Sequence, residues 1–187
     1  MKTLILSIAI FFSVSSFSQS FDGIPISGDL PTMIAKLKAK GYVYVNTEDG
    51  VASLKGKIAS IYNVELLVFT TPKSKKVCKV VAYLDKNINW YSIKAEYEKF
   101  VDILTEKYGE PDVHYEFFSS PYEAGDGYEM TALAVEKCTY TTYWLNKNNT
   151  SIVVEISKYK QVKLGYENDE IMKIRKSEFA SLESNSF

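Results

Sequence analysis

The chain has 187 residues, of which 46% are hydrophobic and 24% are charged, and its formal net charge at pH 7 is −1. This length is enough for one domain of ordinary size with a buried core. The near-neutral balance leaves no basic excess to attract nucleic acid or an anionic membrane, which argues against both as partners.

The first eighteen residues predict a secretory signal peptide. Lys2 gives a positive start, residues 4–14 are mostly apolar, and small residues precede a cleavage site before Gln19. A membrane-spanning anchor would need about 20 apolar residues, and this run is shorter. We therefore expect residues 1–18 to be removed. Residues 19–187 would then be a single secreted or periplasmic domain without a membrane span.

In the first half, the apolar pattern predicts one helix followed by four strands. The helix covers residues 29–40, with Asp29 as its N-cap and Gly41 at its end. The links between the strands are too short for parallel crossovers, so we expect an antiparallel meander. The four predicted strands cover residues 42–46, 51–58, 60–71 and 76–84.

A long amphipathic helix is predicted to begin near Trp90 and to end at Gly109, before Pro111. Asn89 or Ser92 can cap its start. Apolar residues recur along it at steps of three and four, which places them on one face and should make this helix central to the core. These residues are Trp90, Ile93, Tyr97, Phe100, Val101, Leu104 and Tyr108.

The rest of the second half reads as another meander with a helix at the end. Residues 119–128 form a long irregular loop, and residues 129–137 favour a short helix over a strand. A C-terminal helix follows Asn168, with a polar tail after it. The predicted strands cover residues 113–118, 138–145, 151–157 and 161–166.

The two halves have the same predicted order of elements, which suggests an internal duplication of residues 21–85 and 86–168, followed by a helix and tail at 169–187. The alternative is that any two helix-plus-meander units look alike at this level. Either way the predicted fold class is α+β, with two main helices on one face of an antiparallel sheet.

Two resemblances follow from this order. The helix, the Lys-Tyr-Gly-Glu-Pro sequence at 107–111, the Trp144 strand and the motifs at 152–155 and 164–166 resemble small exported proteins of Gram-negative bacteria with no assigned activity. The doubled plan also resembles the β-lactamase-inhibitor-protein-like fold. That resemblance implies an open, aromatic sheet face that grips a partner protein. This chain departs from that fold by having one clear helix per half and too few cysteines for a bridge in each half.

Strand alternation points to a candidate binding surface. If Tyr62, Val64, Leu66 and Val68 face the helices, the residues between them face away, as do their counterparts on neighbouring strands. An exposed apolar patch there would mark a binding surface for an envelope or extracellular protein, unless the tail or the long loop covers it. The candidate residues are Leu67, Phe69, Val81, Tyr83 and Val153.

An acidic loop supports an alternative hypothesis. A hydrolase, for example one acting on glycans, needs two carboxylates on either side of its substrate. The candidates are Glu116, Glu123, Asp126 and Glu129, with Tyr122 and Tyr128 beside them. A solvated loop explains the same residues more simply, and a structural envelope component without a small ligand is a third hypothesis.

The remaining reactive residues give no cofactor or metal prediction. The single histidine, His114, has no nucleophile placed beside it by the sequence and is interpreted as a surface residue. Cys78 and Cys138 could form a disulfide in an oxidising compartment, or could remain buried thiols. Neither has a neighbour at metal-ligand spacing.

Overall fold

The structure is a computed structural model that describes residues 20–58 and 61–184, so the predicted signal peptide lies outside the described residues. It is an α+β fold, as predicted. The strands are β1 (Ser20–Phe21), β2 (Ile24–Pro25), β3 (Val43–Glu48), β4 (Val51–Ile58), β5 (Ile61–Thr70), β6 (Val77–Tyr83), β7 (Val113–Phe118), β8 (Cys138–Trp144), β9 (Thr150–Ser157) and β10 (Gln161–Asn168). The helices are α1 (Leu30–Ala39), α2 (Trp90–Tyr108), α3 (Glu129–Ala134) and α4 (Asp169–Glu183).

Eight strands form one antiparallel sheet in the order β3-β4-β5-β6-β10-β9-β8-β7, while β1 and β2 form a separate hairpin. Each half of the chain supplies four consecutive strands. The last strand of each half, β6 and β10, pair with one another at the centre of the sheet. The antiparallel meander is therefore confirmed in both halves. The internal duplication stays a prediction.

Helix α2 forms where the sequence predicts it because both of its ends are capped. The Asn89 side chain accepts a hydrogen bond from the Ser92 amide at 2.8 Å, and Gly109 ends the helix with a φ of 81°. The predicted apolar stripe packs into the core, where Trp90 and Tyr97 meet Tyr140 of β8 edge-to-face at 5.0 and 5.7 Å. These contacts hold α2 on the second half of the sheet.

Both main helices lie on the same face of the sheet, because their buried residues belong to one hydrophobic core. Met33 and Leu37 of α1 belong to this core, and so do the buried residues of the α2 stripe. Trp144 of β8 is fully buried in this core, and its indole Nε1–H donates to the Gly109 carbonyl at 2.9 Å. That bond ties the C-terminal end of α2 to the sheet.

One core residue was predicted wrongly. Tyr62 is 66% exposed, whereas Val64, Leu66 and Val68 are fully buried as expected. The cause lies in the backbone, because Asn63 has a φ of 58° and the pairing of β4 with β5 shifts register between Gly56 and Ile58. This irregularity breaks the alternation of strand β5 before Val64, so Tyr62 falls out of phase.

The C-terminal helix α4 is attached through polar contacts and partial burial. Asn168 caps its start, and the Glu178 carboxylate accepts hydrogen bonds from the backbone amides of Lys73 and Ser74 at 2.6 and 3.1 Å. No residue within Asp169–Glu183 is fully buried. Among the described residues, no helix is long and apolar enough to span a membrane.

Glu178→Ala should loosen α4 without unfolding the sheet. Hydrogen bonds from Ser74 and Lys73 lower the pKa of Glu178, so their contribution is present at neutral pH and is lost as the pH falls through that lowered value. Protection against hydrogen exchange, taken relative to the intrinsic rate at each pH, should therefore fall in α4 and at residues 73–74 of the variant, and in the wild type at acidic pH. Glu170→Ala, an exposed glutamate on the same helix, is the control. Unchanged exchange in Glu178→Ala would show that α4 is held by other contacts.

Candidate functional site

The sheet face opposite α1 and α2, here called the outer face, carries a continuous apolar band. Register places Leu67, Val81, Gly165, Val153 and Tyr143 side by side on five adjacent strands, from β5 to β8. Their strand neighbours point into the core, so these residues point away from it. We call these five residues the apolar band.

Packing explains why the residue at the centre of the band, Gly165, is a glycine. A Cβ built on Gly165 would lie 2.7 Å from Val153 Cγ1, so the Val153 side chain already occupies the space above Gly165. Val81 is only 2% exposed, whereas Leu67, Val153 and Tyr143 are half-buried. The accessible apolar surface of the band is therefore supplied by these last three side chains.

Two ion pairs border the band, one on each side. Lys79 pairs with Glu167 on strands β6 and β10, and Lys163 pairs with Glu155 on strands β10 and β9. All four side chains are half-buried, and their charges cancel in pairs. An apolar strip with a balanced polar border is the arrangement found at protein–protein interfaces.

The structure brings the five predicted surface residues onto one face. Leu67, Val81 and Val153 lie in the apolar band, while Phe69 and Tyr83 lie in the bordering rows, opposite Lys79 and Lys163 respectively. Sequence reasoning missed two members of the band. Tyr143 could have been found from the alternation of β8, in which its neighbours Thr142 and Trp144 are buried. Gly165 carries no apolar side chain that a pattern could detect.

Helix α4 packs against β6 and β10, but a groove separates it from the β8–β9 hairpin. The groove has a volume of about 900 Å³ and is lined by Leu145, Ser151, Met172 and Phe179 among others. None of its lining residues belongs to the apolar band. The tail helix therefore approaches the outer face at β6 and β10, and the groove beside it lies outside the apolar band.

Two carboxylates of the acidic loop accept hydrogen bonds from backbone amides of the same loop. Asp126 accepts hydrogen bonds from the amides of Glu123 and Tyr128 at 2.9 and 2.7 Å. Glu129 accepts one from the Gly125 amide at 3.0 Å. Such side-chain-to-backbone bonds stabilise turns. Both carboxylates therefore have a local structural role in the loop.

The fourth candidate acid, Glu116, belongs to a hydrogen-bonded chain that starts at the surface. Its carboxylate lies 3.3 Å from Nε2 of His114, whose Nδ1 is 2.8 Å from the Thr142 hydroxyl, which shares a 2.6 Å bond with the Tyr97 hydroxyl. A hydroxyl, a histidine and a carboxylate are the parts of a nucleophilic triad.

The geometry of these hydrogen-bonded groups does not support nucleophilic attack by Thr142. Thr142 is fully buried, so a substrate cannot reach its hydroxyl, and that oxygen already bonds both the Tyr97 hydroxyl and His114. Burial raises the pKa of Tyr97 to about 12, so the phenol stays protonated at neutral pH. The arrangement satisfies polar groups beneath α2.

Both cysteines are free among the residues that the structure describes. Cys78 is on β6 and Cys138 is on β8, with β10 and β9 between them. Three strand spacings amount to about 14 Å, whereas a disulfide needs Cα atoms about 4.4–6.8 Å apart. Within the same residues, no group of three or more His, Cys, Asp or Glu side chains is placed to hold a metal ion.

The two thiols should resist modification in the folded protein. Burial raises the pKa of Cys78 to about 11 and that of Cys138 to about 12, which leaves little reactive thiolate at pH 8. A chromogenic disulfide reagent should titrate almost no thiol in the native protein and two thiols after unfolding. A Cys78→Ala variant should then give one. Failure to titrate either thiol after unfolding without reductant would indicate a bridge.

The fold is therefore α+β, with α1 and α2 on one face of an antiparallel sheet and the apolar band on the other. Comparison of the chain with protein-family models, with curated proteins and with solved structures gave no match. We therefore infer function from the outer face itself.

Proposed function

We propose that this protein is an exported, non-catalytic binding module that holds a partner protein of the cell envelope or extracellular space on its outer sheet face. The observation that supports it is the apolar band, which runs in register across five strands on the face opposite the two main helices. The open face of an antiparallel sheet is normally polar, so a continuous apolar strip there needs an explanation.

The side chains of the band have apolar area still to bury. Leu67, Val153 and Tyr143 are only half-buried in the isolated chain. Completing the burial of one such aliphatic side chain contributes at most about 1 kcal/mol, because full burial is worth about 1.5–3 kcal/mol and most of each side chain is already buried. The neighbouring ion pairs would select the orientation of the partner, since like charges placed opposite them are costly.

Site-specific photocrosslinking tests the proposal. A photoreactive amino acid placed at Leu67 should give a discrete adduct with an envelope protein, which mass spectrometry would identify. The matched control is Tyr91, which is 85% exposed on α2, away from the outer face. Adducts from position 91 and none from position 67 would contradict the proposed surface. Purified partner should then bind the unmodified protein directly.

A further inference from the structure

Strands β8 and β9 separate at one end of the sheet and leave a cleft between them. They are paired only from Thr141 opposite Glu155 to Trp144 opposite Ile152, so the start of β8 and the end of β9 are not matched with each other. The cavity there has a volume of about 330 Å³. Its lining includes Glu136, Glu155, Ser157, Lys158, Tyr159 and Lys163, and we call it the β8–β9 cleft.

Ser157 lines this cleft and carries a buried hydroxyl without a partner in the described part of the chain. Ser157 is 8% exposed, and its Oγ has no hydrogen-bond partner among the described residues. Buried polar groups are nearly always hydrogen-bonded, and a hydroxyl can both donate and accept. An unsatisfied hydroxyl on a residue that lines a cavity is therefore available to a polar molecule that binds there.

The charges of the cleft specify what kind of polar molecule fits. Lys158 pairs with Glu136 at 3.2 Å, and Lys163 pairs with Glu155, so the lining contains two cations and two anions. A charged ligand would be opposed by one member of each pair. Hydroxyl groups donate to the carboxylates and accept from the ammonium groups, so they suit both.

Tyrosine rings add an apolar surface to this polar lining. Tyr83 and Tyr159 both line the cleft, and Tyr159 is 62% exposed. A tyrosine ring presents a flat apolar face and a polar tip, which suits a ligand with an apolar ring face and a polar rim. A sugar ring has both, with C–H groups on one face and hydroxyls around its edge.

We propose that the β8–β9 cleft binds a neutral sugar unit, such as the end of a glycan chain. The cavity volume is near the lower limit of ligand pockets, about 300–1,000 Å³, so one or two rings would fill it. This site does not depend on the proposed protein partner. It shares Tyr83 and the Lys163–Glu155 pair with the border of the apolar band, but none of its lining residues belongs to the band itself, so binding at either surface can fail without the other.

The test is an NMR titration of the protein with three neutral disaccharides: cellobiose, maltose and di-N-acetylchitobiose. At least one should shift the amide signals of Tyr83, residues 139–141 and residues 157–159. Ser157→Ala and Glu155→Gln should each weaken that binding about tenfold. The matched control is Glu167→Gln, because its ion pair with Lys79 is similarly half-buried on the same face but does not line the cleft.

Three outcomes would overturn the proposal. The first is that none of the disaccharides shifts the cleft signals. The second is that glucuronic acid and glucosamine shift those signals as strongly as the neutral sugars do. The third is that Glu167→Gln weakens binding as much as Glu155→Gln. Thermal denaturation of each variant would show that it is folded, and Ser157→Ala, which removes one oxygen, keeps the test decisive if Glu155→Gln does not fold.

Discussion

Replacing Trp144 by Ala should lower the free energy of unfolding by about 3–5 kcal/mol, the usual loss for a fully buried aromatic residue. Trp144 is fully buried in β8, and its indole donates to the Gly109 carbonyl at the end of α2. The substitution therefore removes core packing and the bond that ties the long helix to the sheet. Domains of this size are stabilised by only about 5–15 kcal/mol, so part of the variant population should be unfolded on mild warming.

The measurement for Trp144→Ala is equilibrium unfolding in urea, followed by far-UV circular dichroism. Tyr91→Ala is the matched control, because Tyr91 is an aromatic residue on α2 that is 85% exposed. Its substitution should change the free energy of unfolding by no more than about 0.5 kcal/mol. A loss below about 1 kcal/mol for Trp144→Ala would contradict the described core, since large effects are expected for buried residues.

The double substitution Leu67→Lys with Val153→Lys should abolish binding of the partner while the protein stays folded. Both side chains lie in the apolar band on the open face, where they are half-buried. The few residues that dominate an interface cost about 2 kcal/mol or more when replaced, and a lysine charge buried against the partner adds to that cost, so the affinity should fall at least about thirtyfold for each substitution. Stability should change far less than in Trp144→Ala, because a lysine can extend its ammonium group into solvent.

The control for this pair is Ile88→Lys with Tyr91→Lys, which adds the same charge at residues 93% and 85% exposed. The affinity for the partner should remain within about twofold of the wild type, since exposed substitutions away from an interface change little. Binding can be measured by calorimetry with purified partner. Equal loss of affinity in both double variants would indicate a general charge effect and would count against the outer face.

The sequence predicted the elements whose signals are local. Helix α2 was found because its caps and its three-and-four spacing lie within one continuous stretch. The prediction that Tyr62 faces the core was wrong, because the left-handed backbone of Asn63 changes the alternation of the strand. Apolar periodicity does not reveal such a shift. Five surface residues were placed on a common face by the two-residue alternation of strands, which is also a local property.

Features that depend on strand order could not be predicted in the same way. The pairing of β6 with β10 joins segments far apart in the chain, and it aligns Val81 with Gly165 and Val153 into one band. The separation of Cys78 from Cys138 follows from the same order. The β8–β9 cleft exists only because the pairing of two strands stops early, and sequence periodicity does not show where a ladder ends.

Radical footprinting of the free and partner-bound protein tests the central claim most directly, because it reports side-chain accessibility on each face separately. In the free protein, Trp144 and Tyr97 should stay unmodified, while Leu67, Val153 and Tyr143 should be oxidised. Bound partner should protect those three and leave Tyr91 unprotected. Oxidation of Trp144 in the native protein, or protection of Tyr91 with continued oxidation of Leu67, would contradict the account.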